Sequence, residues 1–209
     1  RQTGGDAVSV LNQQYSYPVQ PSLSALNFYT QFSNPTSPTY TWNRSLPTSF
    51  NFFLSGNLSM YIGFASEIFS IQQKNSNLNF DVVGVPQIRN APKKSVFAHM
   101  YAIAIVKQSK QVAGAFSAAG ALTETAPIKS LESVTNLPPV RRDLLSKKPT
   151  DAFRSVFYDS ALVSHSWIDP NAKASSNTFR DMIEGVTSGQ SRVLEALDRA
   201  NNELNSELK

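Results

Sequence analysis

"VFAHMYAIAIV", residues 96–106, decides the fold class. It contains no Asp, Glu, Lys, Arg, Gly or Pro and is apolar on both alternating faces. A run of this length and pattern predicts a strand buried between helices on both sides. Upstream, "LNFDVVGVP" (Leu78–Pro86) is β-branched and stopped by proline, which predicts a second strand. Leu58 to Ile62 predicts a third, shorter one.

Helical signals lie around these strands. Ala25, Leu26, Tyr29 and Phe32 recur at helical spacing between Ser22 and Phe32, and Asn34-Pro35 ends that helix. A second helix starts near Pro47 and ends near Gly56, a C-terminal glycine. Ala65–Gln73 and the alanine-rich stretch Lys110–Thr123 are also predicted to be helical. The first half thus reads α-α-β-α-β-β-α, an α/β order. Residues 1–20 read as mostly loop. Pro127, Pro138, Pro139 and Pro149 punctuate short helices, one of them beginning at Pro139. A helix is expected from Asp151 to Val163, then a loop "SHSWIDPN". Phe179, Met182, Ile183 and Val186 form a helical stripe stopped by Gly189. Ser191 is expected to cap a last helix with Val193, Leu194, Leu197, Ala200, Leu204 and Leu208 on its apolar face. A sheet under this many helices should exceed three strands, so further strands are expected upstream.

The chain has 209 residues, 41% hydrophobic and 16% charged, which excludes the composition of a disordered chain. Its net charge of +4 is small, and its basic pairs (Lys93-Lys94, Arg141-Arg142, Lys147-Lys148) are scattered. No nucleic-acid partner is therefore expected. With no cysteine, disulfides, thiolate nucleophiles and Cys-based zinc sites are excluded. No apolar run is long enough for a membrane-spanning helix.

Catalytic signatures are missing from the sequence. There is no HExxH, GxSxG, GxGxxG or phosphate-binding loop motif. His99 and His165 lack close metal-ligating partners, and His99 in a buried strand reads as structural. No two carboxylates form a convincing acid/base pair. Asn43-Arg44-Ser45 and Asn57-Leu58-Ser59 match the glycosylation sequon, a pattern common by chance. The remaining signal is aromatic: Tyr40, Trp42, Phe64, Tyr101 and Trp167 fall in loops or at strand ends. Such rings stack on the apolar faces of sugars or serve as packing anchors.

Four stretches, in order, carry a resemblance. "FNFFLSGNLSMYIGFASEI" (50–68) resembles the "aF..GkvAM...G" segment of extracellular solute-binding proteins of bacterial ABC transporters. "NFDVVGVPQI" (79–88) is similar to the family's strand before the hinge. "VFAHMYAIAIVKQSKQVAGAFSAAGALT" (96–123) is similar to its returning strand and helix, and "MIEGVTSGQSRVLEALDRANNEL" (182–204) to its terminal helices. Gly4-Gly5 is similar to a glycine pair of the family. The group resembled is the sugar-binding one that includes maltose-binding protein. The chain corresponds to a C-terminal portion.

The resemblance implies an α/β fold, the C-terminal part of a two-lobe periplasmic-binding-protein-like (type II) architecture. Residues 1–88 would belong to the second lobe. Residues 89–150 would form the hinge crossing and part of the first lobe, and 151–209 would be helices returning to the second. The implied function is capture of a solute, a sugar or oligosaccharide, in an interlobe cleft and its delivery to ABC permease subunits. The protein would be monomeric and extracytoplasmic, periplasmic or at the cell surface, with a lipid anchor at a missing N-terminus as one form. No catalysis, metal or cofactor is implied. The implied ligand-binding residues are Gly63, Phe64, Ser66 and Glu67 at one corner, His99, Met100 and Tyr101 on the returning strand, and Ser166, Trp167 and Asp169 in the "SxSW" loop. Tyr40 and Trp42 rank lower. Where many relatives have tryptophan after the glycine, Phe64 stands here. The alternatives are a carbohydrate-active hydrolase and a surface adhesion protein without transport. The 209 residues in isolation are expected to be poorly stable or to aggregate, since unpaired strands would expose apolar edges.

Overall fold

A computed structural model describes residues 9–11, 14–16, 19–167, 169 and 171–207. Gly4-Gly5 and Leu208 lie outside the described residues. The protein is a helix-rich α/β chain. The first elements are β1 (Ser9–Leu11), β2 (Gln14–Ser16), α1 (Val19–Thr30), α2 (Ser49–Leu54) and α3 (Ile68–Lys74). Then come β3 (Val96–Phe97), α4 (Val112–Leu122), α5 (Thr125–Thr135), α6 (Arg142–Leu145) and α7 (Ala152–Leu162). The last are β4 (Ser164–His165), α8 (Ala172–Thr187) and α9 (Val193–Ser206). These elements divide into two units, each built from discontinuous chain: residues 1–47, 87–95 and 167–209 in the first, 48–86 and 96–166 in the second.

In the first unit α8 and α9 pack on each other and both meet α1. Leu26 of α1 and Ala196, Ala200 and Leu204 of α9 are buried, the last three at i, i+4, i+8 on one helix face. On α8 the buried positions are Ser175, Thr178 and Gly185. The expected stripe of Phe179, Met182, Ile183 and Val186 flanks them at intermediate burial. Small residues therefore line the closest contact. A Cβ on Gly185 would lie 3.3 Å from the Ser191 Oγ. Leu194 was expected in the core but is 44% exposed. Gly189, at φ +76°, turns the chain after α8 as expected, a conformation that glycine adopts without Cβ strain. The residue capping α9 is Arg192 rather than Ser191, and its backbone N–H is held by the Glu195 carboxylate at 3.3 Å. At the start of α8 the Asn171 side chain accepts from the Ala174 N–H. β1 and β2 form an antiparallel hairpin with Val10 opposite Tyr15, where mostly loop was expected.

The second unit has a thin core of Ile71, Leu144, Tyr158 and Pro139. A chain of rings supplements it. Tyr61 stacks on Phe53 at 5.6 Å, Phe53 meets Phe80 edge-on at 5.9 Å, and Phe80 stacks on Phe153 at 5.5 Å. Offset and edge-on pairs of this kind stabilise beyond their buried area. On α7, Asp151 caps the N-terminus by accepting the Arg154 N–H at 2.8 Å. The Tyr158 hydroxyl and the Arg154 guanidinium both donate to Glu132 Oε1, at 2.6 and 3.0 Å, tying α7 to α5. α6 begins at Arg142, not at the buried Pro139.

The predicted strands are where structure and expectation part. Leu58–Ile62 and Leu78–Pro86 form no ladder, and of Val96–Val106 only Val96 and Phe97 are in a strand. That strand pairs in parallel with β4, Val96 opposite Ser164 and Phe97 opposite His165, inside the expected loop. From His99 to Ile105 no backbone group bonds to another among the described residues. The reason is physical. A strand's amides and carbonyls need a neighbouring strand, and the second unit places none beside these segments. Met60, Ile62, Val83 and Tyr101 are among the apolar residues left open.

Candidate functional site

The corner at Gly63 is built from Tyr61 and Glu67. After Gly63 the chain enters a short 3-10 turn (Ala65–Glu67) that runs into α3. The Glu67 carboxylate reaches back to accept the Phe64 N–H at 2.6 Å through Oε2 and the Tyr61 hydroxyl at 2.8 Å through Oε1. One acidic side chain thus satisfies an otherwise orphaned donor at the turn's start. Burial, then the hydrogen bond from Tyr61 to Glu67 and the carboxylate's charge, push the Tyr61 phenol up to about 12. Gly63 is required here by close approach rather than by a left-handed backbone. A Cβ would fall 2.5 Å from Glu67 Oε2 and 2.5 Å from a Tyr61 ring carbon. Glu67, implied either as a ligand contact or as a favourable charge at the helix start, accepts one hydrogen bond on each carboxylate oxygen from its own chain.

The structure brings two of the predicted stretches together. The Phe64 ring lies 4.6 Å from the His99 ring, centroid to centroid, at an interplanar angle of 62°. Phe97 completes the group, 5.2 Å from His99 and 6.3 Å from Phe64. Phe64 is 43% exposed, so the cluster has an open apolar face. His99 is exposed as well, which corrects its placement in a buried strand. Among the described residues no strand flanks residues 99–105, so His99 is covered only on the side of the Phe64 and Phe97 rings. Met100 and Tyr101 are open to solvent, Tyr101 completely so, and Ser66 is exposed beside the corner.

The third stretch divides. Ser166 belongs to the second unit, Trp167 and Asp169 to the first. Trp167 packs edge-on against Phe179 of α8 at 5.8 Å. Asp169 Oδ1 accepts from the Ser175 hydroxyl at 2.7 Å and from the Asn171 N–H at 3.1 Å, which organises the start of α8. Tyr40 and Trp42 lie in the first unit, where the Tyr40 hydroxyl accepts from Asn43 Nδ2 at 3.0 Å. The Asn43 side-chain Oδ1 in turn accepts from the Ser45 backbone N–H and hydroxyl.

Two residues of the site escaped the sequence reading. Phe97 precedes His99 by two positions, the period that puts side chains on one side of an extended chain, and this spacing was the available signal. Tyr61 has no local signal, because its pairing with Glu67 depends on how the corner closes. Two open concavities lie elsewhere. One, of about 340 Å³, is lined by Arg44, Asp181, Glu184, Ser188, Gln190 and Arg199 in the first unit. The other, of about 330 Å³, lies around Gln72, Asn75, Phe80 and Phe153 in the second. Among the described residues no three His, Asp or Glu side chains gather as a metal site, and no helix is long and apolar enough to cross a membrane. The chemistry available at the corner is contact with an apolar or ring-shaped surface on Phe64, Phe97 and His99. No protein-family model matches the chain, and no curated protein matches it.

Proposed function

We propose that the protein is a solute-binding subunit of an ABC importer that captures a sugar or oligosaccharide and hands it to a membrane permease outside the cytoplasm. In this proposal the chain is the C-terminal part of a type II two-lobe binding protein, and it breaks no bond. Two lines of support stand behind it: the four ordered stretches that resemble the family, and one observation. Phe64 at the Gly63 corner and His99 on the returning segment, distant in sequence, meet at 4.6 Å in a cluster with an open face. Aromatic faces of this kind stack on the apolar faces of sugar rings. Glu67 and Tyr61 act as positioning residues that hold Phe64 by its backbone. The part of Trp167 and Asp169 rests on the resemblance alone.

Isothermal calorimetry of the chain against a panel of mono- and oligosaccharides tests this. Saturable binding of one sugar, weakened about fivefold to tenfold in Phe64→Ala, is the expected result. A rim aromatic that loses its stacking partner forfeits about 1 kcal/mol or somewhat more. No binding across the panel, binding untouched by Phe64→Ala, or release of cleaved sugar would each overturn the proposal.

A further inference from the structure

We propose that the concavity between the end of α3 and the start of α7 is a binding site for one neutral sugar unit, held on Phe80 and Phe153 and by the amides of Gln72, Asn75 and Asn79. It lies within the second unit and encloses about 330 Å³, near the lower end of the range for small-molecule sites. Gln72 sits in the last turn of α3, Asn75 to Phe80 follow it, and Phe153 is in the first turn of α7. The stack of Phe80 on Phe153 at 5.5 Å brings these two pieces of chain to one place. The site shares no residue with the Gly63 corner, and it does not rest on reading the chain as an importer subunit.

The lining selects its ligand by what it holds and by what it lacks. No lining residue is charged, so nothing there offsets the charge of a phosphate, a carboxylate or an amine. The three amides each carry donors and an acceptor, and a sugar hydroxyl likewise does both. Asn75 is fixed in place. Its Nδ2 donates to the Leu54 carbonyl at 2.8 Å, and its Oδ1 accepts the Asn77 N–H at 3.2 Å, leaving a second lone pair on that oxygen. Gln72 and Asn79 are exposed, and their side chains hydrogen-bond to nothing among the described residues. Phe80 and Phe153 are half-buried, at an interplanar angle of 21°, and Phe53 meets Phe80 edge-on. The rings are therefore in position before a ligand arrives, and their open parts offer a platform for the C–H face of a pyranose. A linear polyol has no such face, and a purely apolar ligand would leave the amides without partners. A free sugar and one unit of a glycan chain share this chemistry. An open site of this size binds weakly, with Kd on the order of 1 mM.

Proton–nitrogen NMR of the full chain tests the site through the side-chain NH2 signals of Gln72 and Asn79, assigned by their loss in Gln72→Ser and Asn79→Ser. The probes are glucose, galactose, maltohexaose, glycerol and glucose 6-phosphate. At least one of the three neutral sugars should shift both signals saturably, with glycerol giving no saturable shift and glucose 6-phosphate binding more weakly than glucose. Maltohexaose binding more tightly than glucose marks a glycan chain as the ligand, and the reverse marks a free sugar. Phe64→Ala should leave these shifts in place, since the readout is local and sugar at the Gly63 corner does not register in it. In Gln72→Ala/Asn79→Ala the same sugar, followed through the Asn75 amide, should bind about tenfold or more weakly, the loss of two ordinary hydrogen bonds. Both positions are exposed, so helical circular dichroism should not change. No shift with any of the three sugars, an equal response to glycerol, tighter binding of glucose 6-phosphate, loss of the shifts in Phe64→Ala, or unchanged affinity in the double variant would overturn the proposal.

Discussion

The α1, α8 and α9 cluster and the segments Leu58–Ile62, Leu78–Pro86 and Val96–Val106 come from one chain, yet they met opposite fates. The first closes over Leu26, Ala200 and Leu204, each 5% exposed or less. The second leaves Met60 at 84% and Val83 at 78% exposed. Hydrophobicity does not separate them, since the predicted strands are the more apolar of the two. Hydrogen-bond bookkeeping does. A helix satisfies its interior backbone groups by itself and needs cover on one face only. A strand needs a neighbour on each edge and cover on both faces when it is apolar on both. The helices found what they needed within α1, α8 and α9. Among the described residues, the strand pairing in these segments is the two-residue one of β3 with β4.

The sharpest way to break this contrast is to remove packing where it is claimed. Leu204→Ala deletes a side chain only 2% exposed, and it should cost about 3 kcal/mol, read as a lower urea midpoint by helical circular dichroism. A loss under about 1 kcal/mol would mean that the cluster is no better packed than the extended segments. A middle-sized effect is expected at the corner, where packing is replaced by one well-made polar contact. Tyr61→Phe removes the hydroxyl that binds Glu67 and should cost about 1 kcal/mol.

The pH dependence of the same variant carries a sign. The folded phenol titrates near 12, against 10.0 for an ordinary tyrosine, so folding retains its proton. Its contribution is complete below pH 10 and is lost as pH rises towards 12. Denaturant titrations at pH 9, 10 and 11 should show a stability loss in the parent that Tyr61→Phe reduces. The smallest effect belongs to the open segments. Val83→Ser should change stability by less than about 0.5 kcal/mol, because nothing packs on that side chain. A loss several times larger would show that Leu78–Pro86 is covered in solution and would sharpen the contrast against us.

The site was legible to the extent that its residues carry local patterns. The corner of Gly63, Phe64 and Glu67 could be picked out because a glycine before a helix with an acid in its first turn is a local arrangement. His99 could be named from its place on the returning segment, though its neighbours could not. Its contact with Phe64 closes a gap between residues far apart in sequence, and no spacing rule reports it. The partners of Glu67 were hidden for a similar reason. A carboxylate at a helix start looks available until the loop before it brings Tyr61 and the Phe64 N–H within 3 Å. Asp169 was named for its place in the loop, and its hydrogen bonds from Ser175 and Asn171, which order the start of α8, were not legible there.

By itself the sequence determined the helices, their glycine stops at Gly56 and Gly189, the Asp151 start of α7, and the lack of any cysteine chemistry. All of these are decided within a few residues of chain, where propensity, capping and the apolar period of 3.6 act. Only the tertiary structure decided which apolar segments became strands, which residues of α8 were small enough to touch α9, and whether Glu67 was free. Each of those depends on partners far away in sequence, because a ladder, a close helix contact and a shared proton acceptor all require two pieces of chain to arrive at one place.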